Sequence, residues 1–268
     1  MRRDPSPGQS EFRWDPEAGE IDEEGLAGVD AVVHLAGENI GARRWSNAQK
    51  ARIRDSRVNG TKTMSDVVAR LDPRPDVLVC ASALGYYGDR GDDVLTEDAP
   101  AGSDFLARVG VEWENASRSA SEAGVRVVNM RFGLVISRDA PLLTRQLPIF
   151  KLGLGGKLGS GRQFFSWISI DDAVRAISYA VDTPTLVGPV NVCSPNPVTN
   201  AEFTKTFGRV LSRPAIFMVP RFALKAAFGE MADTMFGSVR MSPTKLVESG
   251  FQFEHPDLEG ALRHALDR

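Results

Sequence analysis

The chain has 268 residues, of which 42% are hydrophobic and 25% are charged, and its formal net charge is −3. This balance is typical of one enzyme-sized domain, or of a domain with an attached lobe, and it gives no indication of a nucleic-acid partner. No apolar run reaches the length of about 18 residues that spans a membrane, and residues 1–12 lack the apolar stretch of a signal peptide.

The cysteine and histidine content argues against a structural metal or a disulfide framework. Cys80 and Cys193 are the only cysteines, they form no CxxC pair, and no histidine accompanies them. This usage predicts a reducing, cytoplasmic location. His34 lies on an apolar run without a second histidine at metal-binding spacing, so we expect a core residue bonded to backbone and no metal site.

The first two thirds of the chain alternate between strand and helix patterns. Ser46 and Gln49 form a capping-box pattern at the start of a helix that should end near Pro73. Ser103 is placed to cap a second helix, which Gly124 should stop. Three apolar runs predict buried strands, at residues 31–37, 76–82 and 125–133. This order predicts a doubly wound parallel sheet with helices on both faces.

The pattern continues for two more strands and then changes. Residues 165–170 and 188–194 are the last apolar runs with strand character. Asp171 and Asp172 follow the first of them; a pair of carboxylates can act as catalytic acids, but at a helix start it favours a capping role. After residue 194 only helical signals remain, which predicts a small, mainly helical lobe over the carboxyl edge of the sheet.

The change at residue 194 predicts two domains. Thr199 with Glu202 forms a second capping box, which opens the C-terminal part. We therefore expect an α/β domain over residues 1–194 and a helical substrate lobe over residues 195–268. The glycine-rich residues 141–164 should leave the sheet and border the substrate site.

Hydroxyl and aromatic side chains follow the second strand. The sequence SALGYYG brings Ser82, Tyr86 and Tyr87 to the carboxyl end of the strand, the edge at which open α/β sheets bind ligands. The alternative is a turn whose tyrosine rings only cover the sheet edge, and the sequence does not separate the two. Arg131 ends the third strand, where it can hold a ligand or pair with a carboxylate.

A set of motifs spread over nearly the whole chain resembles one known family. The chain contains HLAGENI (34–40), SRVNGT (56–61), SALGYYG (82–88), RFGLV (131–135) and GSGRQFFSWISIDD (159–172). Together with the C-terminal helical lobe, these motifs resemble the extended short-chain dehydrogenases, and within them the epimerase family proteins of the NAD-dependent epimerase/dehydratases. The resemblance implies a Rossmann-type sheet that binds NADP or NAD.

The resemblance also implies a set of cofactor contacts. The family's glycine fingerprint belongs to its first strand and helix, and this sequence has no such motif at a helix start. Arg2 and Arg3 match the basic pair that closes the family's second strand, so we expect the chain to begin there, without a strand-helix-strand unit of about 30 residues. The other contacts implied by the motifs are Leu35, Ala36, Arg57 and Val135.

Catalysis departs from the family pattern. Short-chain dehydrogenases use a tyrosine as acid and base, with a lysine four residues later, and a serine that binds the reacting oxygen. None of the three tyrosines here has such a lysine, and the matching positions fall near Leu106 and Gly110. The candidates that remain are Ser82 for the substrate oxygen and Tyr87, or else Tyr86, for proton transfer.

Three functional hypotheses follow from this pattern. The first is an NAD(P)-dependent oxidoreductase or epimerase-like protein with an atypical site for a small sugar-like or carbonyl substrate, and without a nucleic-acid or membrane partner. The second is a cofactor-binding sensor or interaction protein without turnover. The third is an incomplete gene product, because absent strands would leave the apolar run 31–35 as a sheet edge; poor solubility and weak NADP binding are then expected. The oligomeric state stays open.

Overall fold

A parallel sheet organises the molecule, whose computed structural model describes residues 11–16 and 18–267. The strands that carry it are β1 (Ala31–His34), β2 (Val77–Ala83), β3 (Arg126–Phe132), β4 (Leu134–Ile136), β5 (Trp167–Ser169) and β6 (Gly188–Val192). Strands β6, β3, β2 and β1 lie side by side in that order, all parallel. Strand β4 continues β3 and pairs in parallel with β5. The predicted parallel sheet is therefore confirmed.

Helices cover both faces of the sheet. The helices are α1 (Asn47–Arg70), α2 (Phe105–Asn115), α3 (Arg118–Glu122), α4 (Pro141–Lys151), α5 (Ile170–Asp182), α6 (Asn200–Val210), α7 (Arg221–Phe228), α8 (Met231–Thr234), α9 (Thr244–Glu248) and α10 (Leu258–Ala265). In β2, Val77 and Val79 pack against α5 and α9, whereas Leu78 and Cys80 pack against α1 and α3. Because successive strand residues point to opposite faces, an unbroken apolar strand needs both coverings. The doubly wound arrangement is confirmed.

Short strand pairs connect the C-terminal lobe to the rest of the chain. The lobe is mainly helical, as expected, and it also contains short strands that the sequence pattern did not predict. Three pairs make this connection: Val94–Leu95 with Arg240–Met241, Gly156–Leu158 with Phe217–Val219, and Phe164–Phe165 with Val198–Thr199. A further pair, Trp14–Asp15 with Glu20–Ile21, lies before β1. Backbone pairing thus ties residues 156–165 to the lobe, and the domain boundary at residue 194 stays a prediction.

Two predicted helix starts are confirmed by their caps. The Ser46 hydroxyl accepts a hydrogen bond from the backbone N–H of Gln49 at 3.2 Å. At α6, the Thr199 hydroxyl accepts from the N–H of Glu202, whose carboxylate in turn accepts from the N–H of Thr199. Such caps satisfy N–H groups that have no partner inside the helix.

Two other helix starts differ from the prediction. Asp104, not Ser103, caps α2, since its carboxylate accepts from the N–H of Ala107 at 2.8 Å. A carboxylate at this position also favours the positive end of the helix dipole. Helix α2 ends at Asn115, and the segment that leads to Gly124 forms the separate helix α3. At α5 the cap is Ser169, one residue before the helix.

No helix within the described ranges is both long and apolar enough to cross a membrane. The two thiols, Cys80 and Cys193, are free and fully buried. Burial raises the pKa of Cys80 to about 12, so this thiol stays protonated at neutral pH.

His34 occupies the core position that the sequence predicts, but its Nε2 atom makes no hydrogen bond to any described residue. The expected bond to backbone is therefore not formed at this atom. The ring of Trp14 meets the imidazole edge to face, with centroids 5.2 Å apart. Burial lowers the pKa of His34 to about 4, because the charged imidazolium loses its hydration. His34 is therefore neutral in the native state at neutral pH.

The depressed pKa of His34 makes the free energy of unfolding depend on pH. The unfolded chain binds a proton near pH 6.5 and the folded chain only near pH 4, so stability is lost as the pH falls through this window. We expect wild-type protein to lose up to about 3 kcal/mol more than His34→Phe between pH 6.5 and 4. Urea denaturation at a series of pH values measures this difference, and parallel curves for the two proteins would contradict it.

Candidate functional site

The second and third strands bring two polar side chains together at the carboxyl half of the sheet. Ser82 on β2 is the register partner of Arg131 on β3. Glu114, on the last turn of α2, reaches both of them. The Ser82 hydroxyl donates to Glu114 Oε1 at 2.7 Å, while Arg131 Nε and Nη2 donate to the two carboxylate oxygens, each at 2.8 Å.

This ion pair is buried and has the bidentate geometry that suits guanidinium and carboxylate groups. The Arg131 side chain is 3% exposed and that of Glu114 is 12% exposed. A charge in such a place is tolerated only when hydrogen bonds replace its lost hydration. The sequence left two roles open for Arg131, holding a ligand or pairing with a carboxylate. In the structure it pairs with the carboxylate of Glu114.

Tyr87 belongs to the same network. Arg131 Nη1 donates to the Tyr87 hydroxyl at 2.9 Å, and that hydroxyl donates in turn to Asn191 Oδ1, 2.7 Å away, with the carbonyl oxygen of Thr96 at 3.1 Å. The Tyr87 side chain is fully buried. Burial raises its pKa to about 12, against the opposing effect of Arg131. A hydroxyl closed in this way has no side on which a substrate can approach, which argues against Tyr87 as the proton carrier.

Tyr86 has a different environment from its neighbour. Its ring stacks on the guanidinium of Arg131, with Cζ 3.5 Å from the ring centroid, and meets the ring of Tyr87 edge to face. Its side chain is partly exposed, and its hydroxyl makes no hydrogen bond with the residues that the structure describes. Of the two tyrosines, Tyr86 is therefore the one whose hydroxyl is open to a ligand.

Helix α2 packs closely on the turn that holds these tyrosines. A Cβ atom at Gly110 would lie 3.2 Å from Tyr86 Cα, and one at Gly85 would lie 3.1 Å from Leu106 Cβ. Both distances are below normal van der Waals separation, so a lysine at position 110 requires the turn to move. The close packing of α2 on this turn therefore disfavours a lysine at position 110, near which the family's usual lysine would fall.

Arg57 lies against the loop that follows β1. Its Nη1 atom donates to the carbonyl oxygens of Glu38 and Ile53, at 2.9 and 3.0 Å. A Cβ atom at Gly37 would lie 3.3 Å from its Cζ atom. Burial lowers the pKa of Arg57, and no carboxylate forms a salt bridge with it within the described part of the chain. A half-buried guanidinium that forms no salt bridge is suited to bind an anion.

The other expected cofactor contacts take separate positions. Leu35, which is 51% exposed, and Ala36 lie directly before Gly37 at the end of β1. Val135 lies in β4, past the carboxyl end of β3, where it packs on the core beneath α5. Arg3 lies outside the described residues. The structure thus groups Leu35 and Ala36 near Arg57, and Ser82, Tyr86 and Tyr87 around Arg131.

Three polar residues of this region were not predicted from the sequence: Glu114, Glu97 and Asn191. Glu114 had one available signal, since it lies one helical turn after Gly110 on a predicted helix. Glu97 accepts hydrogen bonds from the N–H groups of Asn191 and Lys245, at 3.1 and 3.2 Å. These residues lie far apart in the chain, and no local pattern connects them.

A basic cleft opens between the loop after β1 and the helices α4 and α7. Arg43, Arg44, Arg145 and Phe228 line its volume of about 220 Å³. Arg145 Nη2 donates to the carbonyl oxygen of Gly41 at 2.6 Å, which fixes one of the three guanidinium groups. The cleft therefore presents a concentration of positive charge to solvent.

Comparison with known proteins agrees with this arrangement. The family model described as "NAD dependent epimerase/dehydratase family" matches residues 18–193. The chain belongs to this family. A second family model, "Domain of unknown function (DUF1731)", matches residues 219–265, in the helical lobe. The family resemblance predicted from the motifs is confirmed.

Several relatives cover almost all of this family member. An "epimerase family protein" of Mycobacterium tuberculosis is 48% identical over 269 residues, which are 100% of this chain and 88% of that protein. The crystal structure of the human epimerase family protein SDR39U1 (isoform2) with NADPH has a TM-score of 0.90 at 32% identity and covers 99% of this chain and 89% of that one. A nucleoside-diphosphate sugar epimerase from Corynebacterium glutamicum has a TM-score of 0.79 at 35% identity, over 98% of this chain and 51% of that one.

The buried ion pair predicts a large stability effect for one of two neighbouring glutamates. Glu114→Gln leaves Arg131 charged and buried without its carboxylate, which we expect to destabilise the fold by about 3 kcal/mol. The matched control is Glu112→Gln on the same helix, where the pair with Arg54 is exposed and the expected loss is below about 1 kcal/mol. Chemical denaturation of both variants tests this, and equal losses would contradict it.

Proposed function

We propose that this protein binds NADP(H) at the carboxyl edge of its sheet and acts as an NAD(P)-dependent oxidoreductase or epimerase-like enzyme on a small substrate. The observation that carries the proposal is Arg57, a half-buried guanidinium that forms no salt bridge among the described residues and lies against Gly37 in the loop after β1. Phosphate groups of a dinucleotide are the anions that such a site suits. The human relative, whose structure holds NADPH, supports the same cofactor.

The chain's own residues fit a dinucleotide at this edge. Arg57 would hold a phosphate or ribose oxygen, and the exposed Leu35 with Ala36 would contact the cofactor through backbone and apolar surface. Val135 would border it from the other side of the edge. Arg3 is the residue proposed for the 2′-phosphate that distinguishes NADP from NAD. When bound, the nicotinamide would supply or accept a hydride.

We place proton transfer at Tyr86 rather than Tyr87. The Tyr86 hydroxyl is open, and its ring lies against the fixed positive charge of Arg131. Negative charge that develops on the ring during a proton transfer is then stabilised by a cation already in place. The Ser82 hydroxyl donates its hydrogen bond to Glu114. In this proposal it can therefore only accept a hydrogen bond from a substrate hydroxyl, and its other role is to position Glu114.

The basic cleft indicates which chemical group the proposed substrate carries. The guanidinium groups of Arg43, Arg44 and Arg145 suit a phosphate or carboxylate group. We therefore propose a small sugar-like or carbonyl substrate that carries an anionic group, bound between the sheet edge and the C-terminal lobe. A cytoplasmic location, inferred from the cysteine usage, is part of the same proposal.

Arg57 provides the test of cofactor binding. We expect Arg57→Met to weaken NADPH binding by about tenfold to a hundredfold, because a charge-assisted hydrogen bond is lost. Arg54→Met, one turn earlier on α1, removes an exposed arginine that pairs with Glu112 and should leave the affinity unchanged. Isothermal titration calorimetry with NADPH and NADH measures both variants. Equal affinities for the two variants would refute the role of Arg57.

The two tyrosines provide the test of chemistry. We expect Tyr86→Phe to lower NADPH-dependent turnover of phosphorylated or carboxylated carbonyl compounds by at least about a hundredfold, with unchanged NADPH affinity. Tyr87→Phe should keep turnover but lower the melting temperature, because Arg131 and Asn191 lose a buried partner. The reverse result, an active Tyr86→Phe and a folded but inactive Tyr87→Phe, would exclude the assignment.

A second candidate function is a cofactor-binding protein without turnover. The observation that favours it is that the hydroxyls of both Ser82 and Tyr87 are engaged in the network around Arg131. Tight NADPH binding with no oxidation in the presence of any sugar or carbonyl compound, together with NADPH-dependent recovery of a protein partner, would support this candidate. Turnover that depends on Tyr86 would exclude it.

A further inference from the structure

Three potential ligands for a metal ion meet where the C-terminal helix packs beside α5. Asp171 lies in the first turn of α5, His255 in the loop before α10, and His264 near the end of α10. One ligand atom from each side chain lies within 4.8 Å of the other two. Nε2 of His264 is 2.9 Å and Nε2 of His255 is 4.0 Å from Asp171 Oδ2. None of the three belongs to the Arg131 network or to the group around Arg57.

The neighbouring carboxylate holds this arrangement in place. Asp172 is fully buried, and its oxygens accept hydrogen bonds from the backbone N–H groups of Glu254 and His255, at 2.8 and 2.9 Å. The hydroxyl of Ser169 donates to the same carboxylate at 2.9 Å. The loop that carries His255 is therefore fixed to the start of α5. Little conformational entropy is then lost when a ligand binds.

The geometry is not that of a hydrogen-bonded ion pair. Asp171 Oδ2 is buried and accepts no hydrogen bond from any described group, although a histidine nitrogen is 2.9 Å away. The rings of His255 and His264 stack with centroids 4.3 Å apart and planes 25° apart. The buried oxygen and the stacked rings are both satisfied by a shared cation.

The local charge also favours a cation. Asp171 is followed by Asp172 on α5, and His255 is preceded by Glu254 in its loop. Arg175 pairs with Asp172 and Glu254, at 3.1 Å each. Three negative groups against one permanent positive group leave a net negative charge for a divalent ion to neutralise.

We propose that Asp171, His255 and His264 form a site for a divalent transition-metal ion of the zinc type, which ties α10 to the start of α5. Two imidazoles and one carboxylate are ligands that zinc accepts, with bonds of about 2.0–2.2 Å. Ligand atoms around tetrahedral zinc lie roughly 3.3 Å apart, and the distances of 2.9 and 4.0 Å bracket this value. Solvent completes the coordination, since His264 faces the surface. The sequence predicted no metal because these ligands are not neighbours along the chain.

The test is a metal titration of the untagged full chain after treatment with EDTA. Co²⁺ is added and its visible absorption bands report the coordination. We expect one bound ion per chain, with affinity lower by at least about tenfold in His264→Ala and in Asp171→Asn. Asp182→Asn, an exposed change at the other end of α5, is the matched control and should bind as the wild-type chain does.

A thermal melt gives an independent readout. Zn²⁺ should raise the melting temperature of the wild-type chain and of Asp182→Asn, and should leave that of His264→Ala unchanged, because only a bound ion stabilises the native state. His264 is exposed, so its replacement leaves the fold intact, which circular dichroism verifies. No Co²⁺ binding by the wild-type chain, or equal binding by His264→Ala and the control, would overturn the proposal.

Discussion

The buried pair between Arg131 and Glu114 is the interaction on which the site region depends. One partner comes from the centre of the sheet and the other from α2, so the pair forms only when the helix docks at one angle and height. Removing two charges from water costs several kcal/mol each, and this cost is offset only when every donor is used. Here the third guanidinium nitrogen, Nη1, donates to the Tyr87 hydroxyl and to the carbonyl oxygen of Glu97. A small shift of α2 would therefore break several hydrogen bonds of Glu114 at once.

The same constraint divides the polar groups of the sheet edge into two sets. Ser82 and Tyr87 satisfy the ion pair and are thereby withdrawn from solvent. The Tyr86 hydroxyl and the Arg57 guanidinium form no hydrogen bond with the pair; that hydroxyl is partly open, and Arg57 forms no salt bridge among the described residues. The buried charge network therefore uses two of the hydroxyl groups that the sequence predicted as site residues to hold α2 on the sheet.

Local patterns account for the elements that the sequence predicted correctly. Strand β2 begins with an unbroken apolar run because both of its faces are covered. The cap at Ser46 and the capping box at Thr199 each involve residues three apart. The same logic failed where two adjacent residues could each cap α2. Asp104 has the extended backbone of a cap, with φ −75° and ψ −178°, and its carboxylate accepts the capping hydrogen bond from Ala107. That choice depends on how the preceding turn packs, which is not a local property.

What the sequence by itself determined is the family, the doubly wound sheet and the sheet edge that carries Ser82, Tyr86 and Arg131. These follow from periodicity and from short motifs, in which the interacting residues are close along the chain. Only the tertiary structure decided that Arg131 pairs with Glu114, that Tyr86 rather than Tyr87 has the open hydroxyl, and that the carboxylate of Asp171 meets two histidines. Each of these depends on ångström-scale distances between distant segments. Such distances are set by how the helices dock on the sheet, which no local pattern in the sequence records.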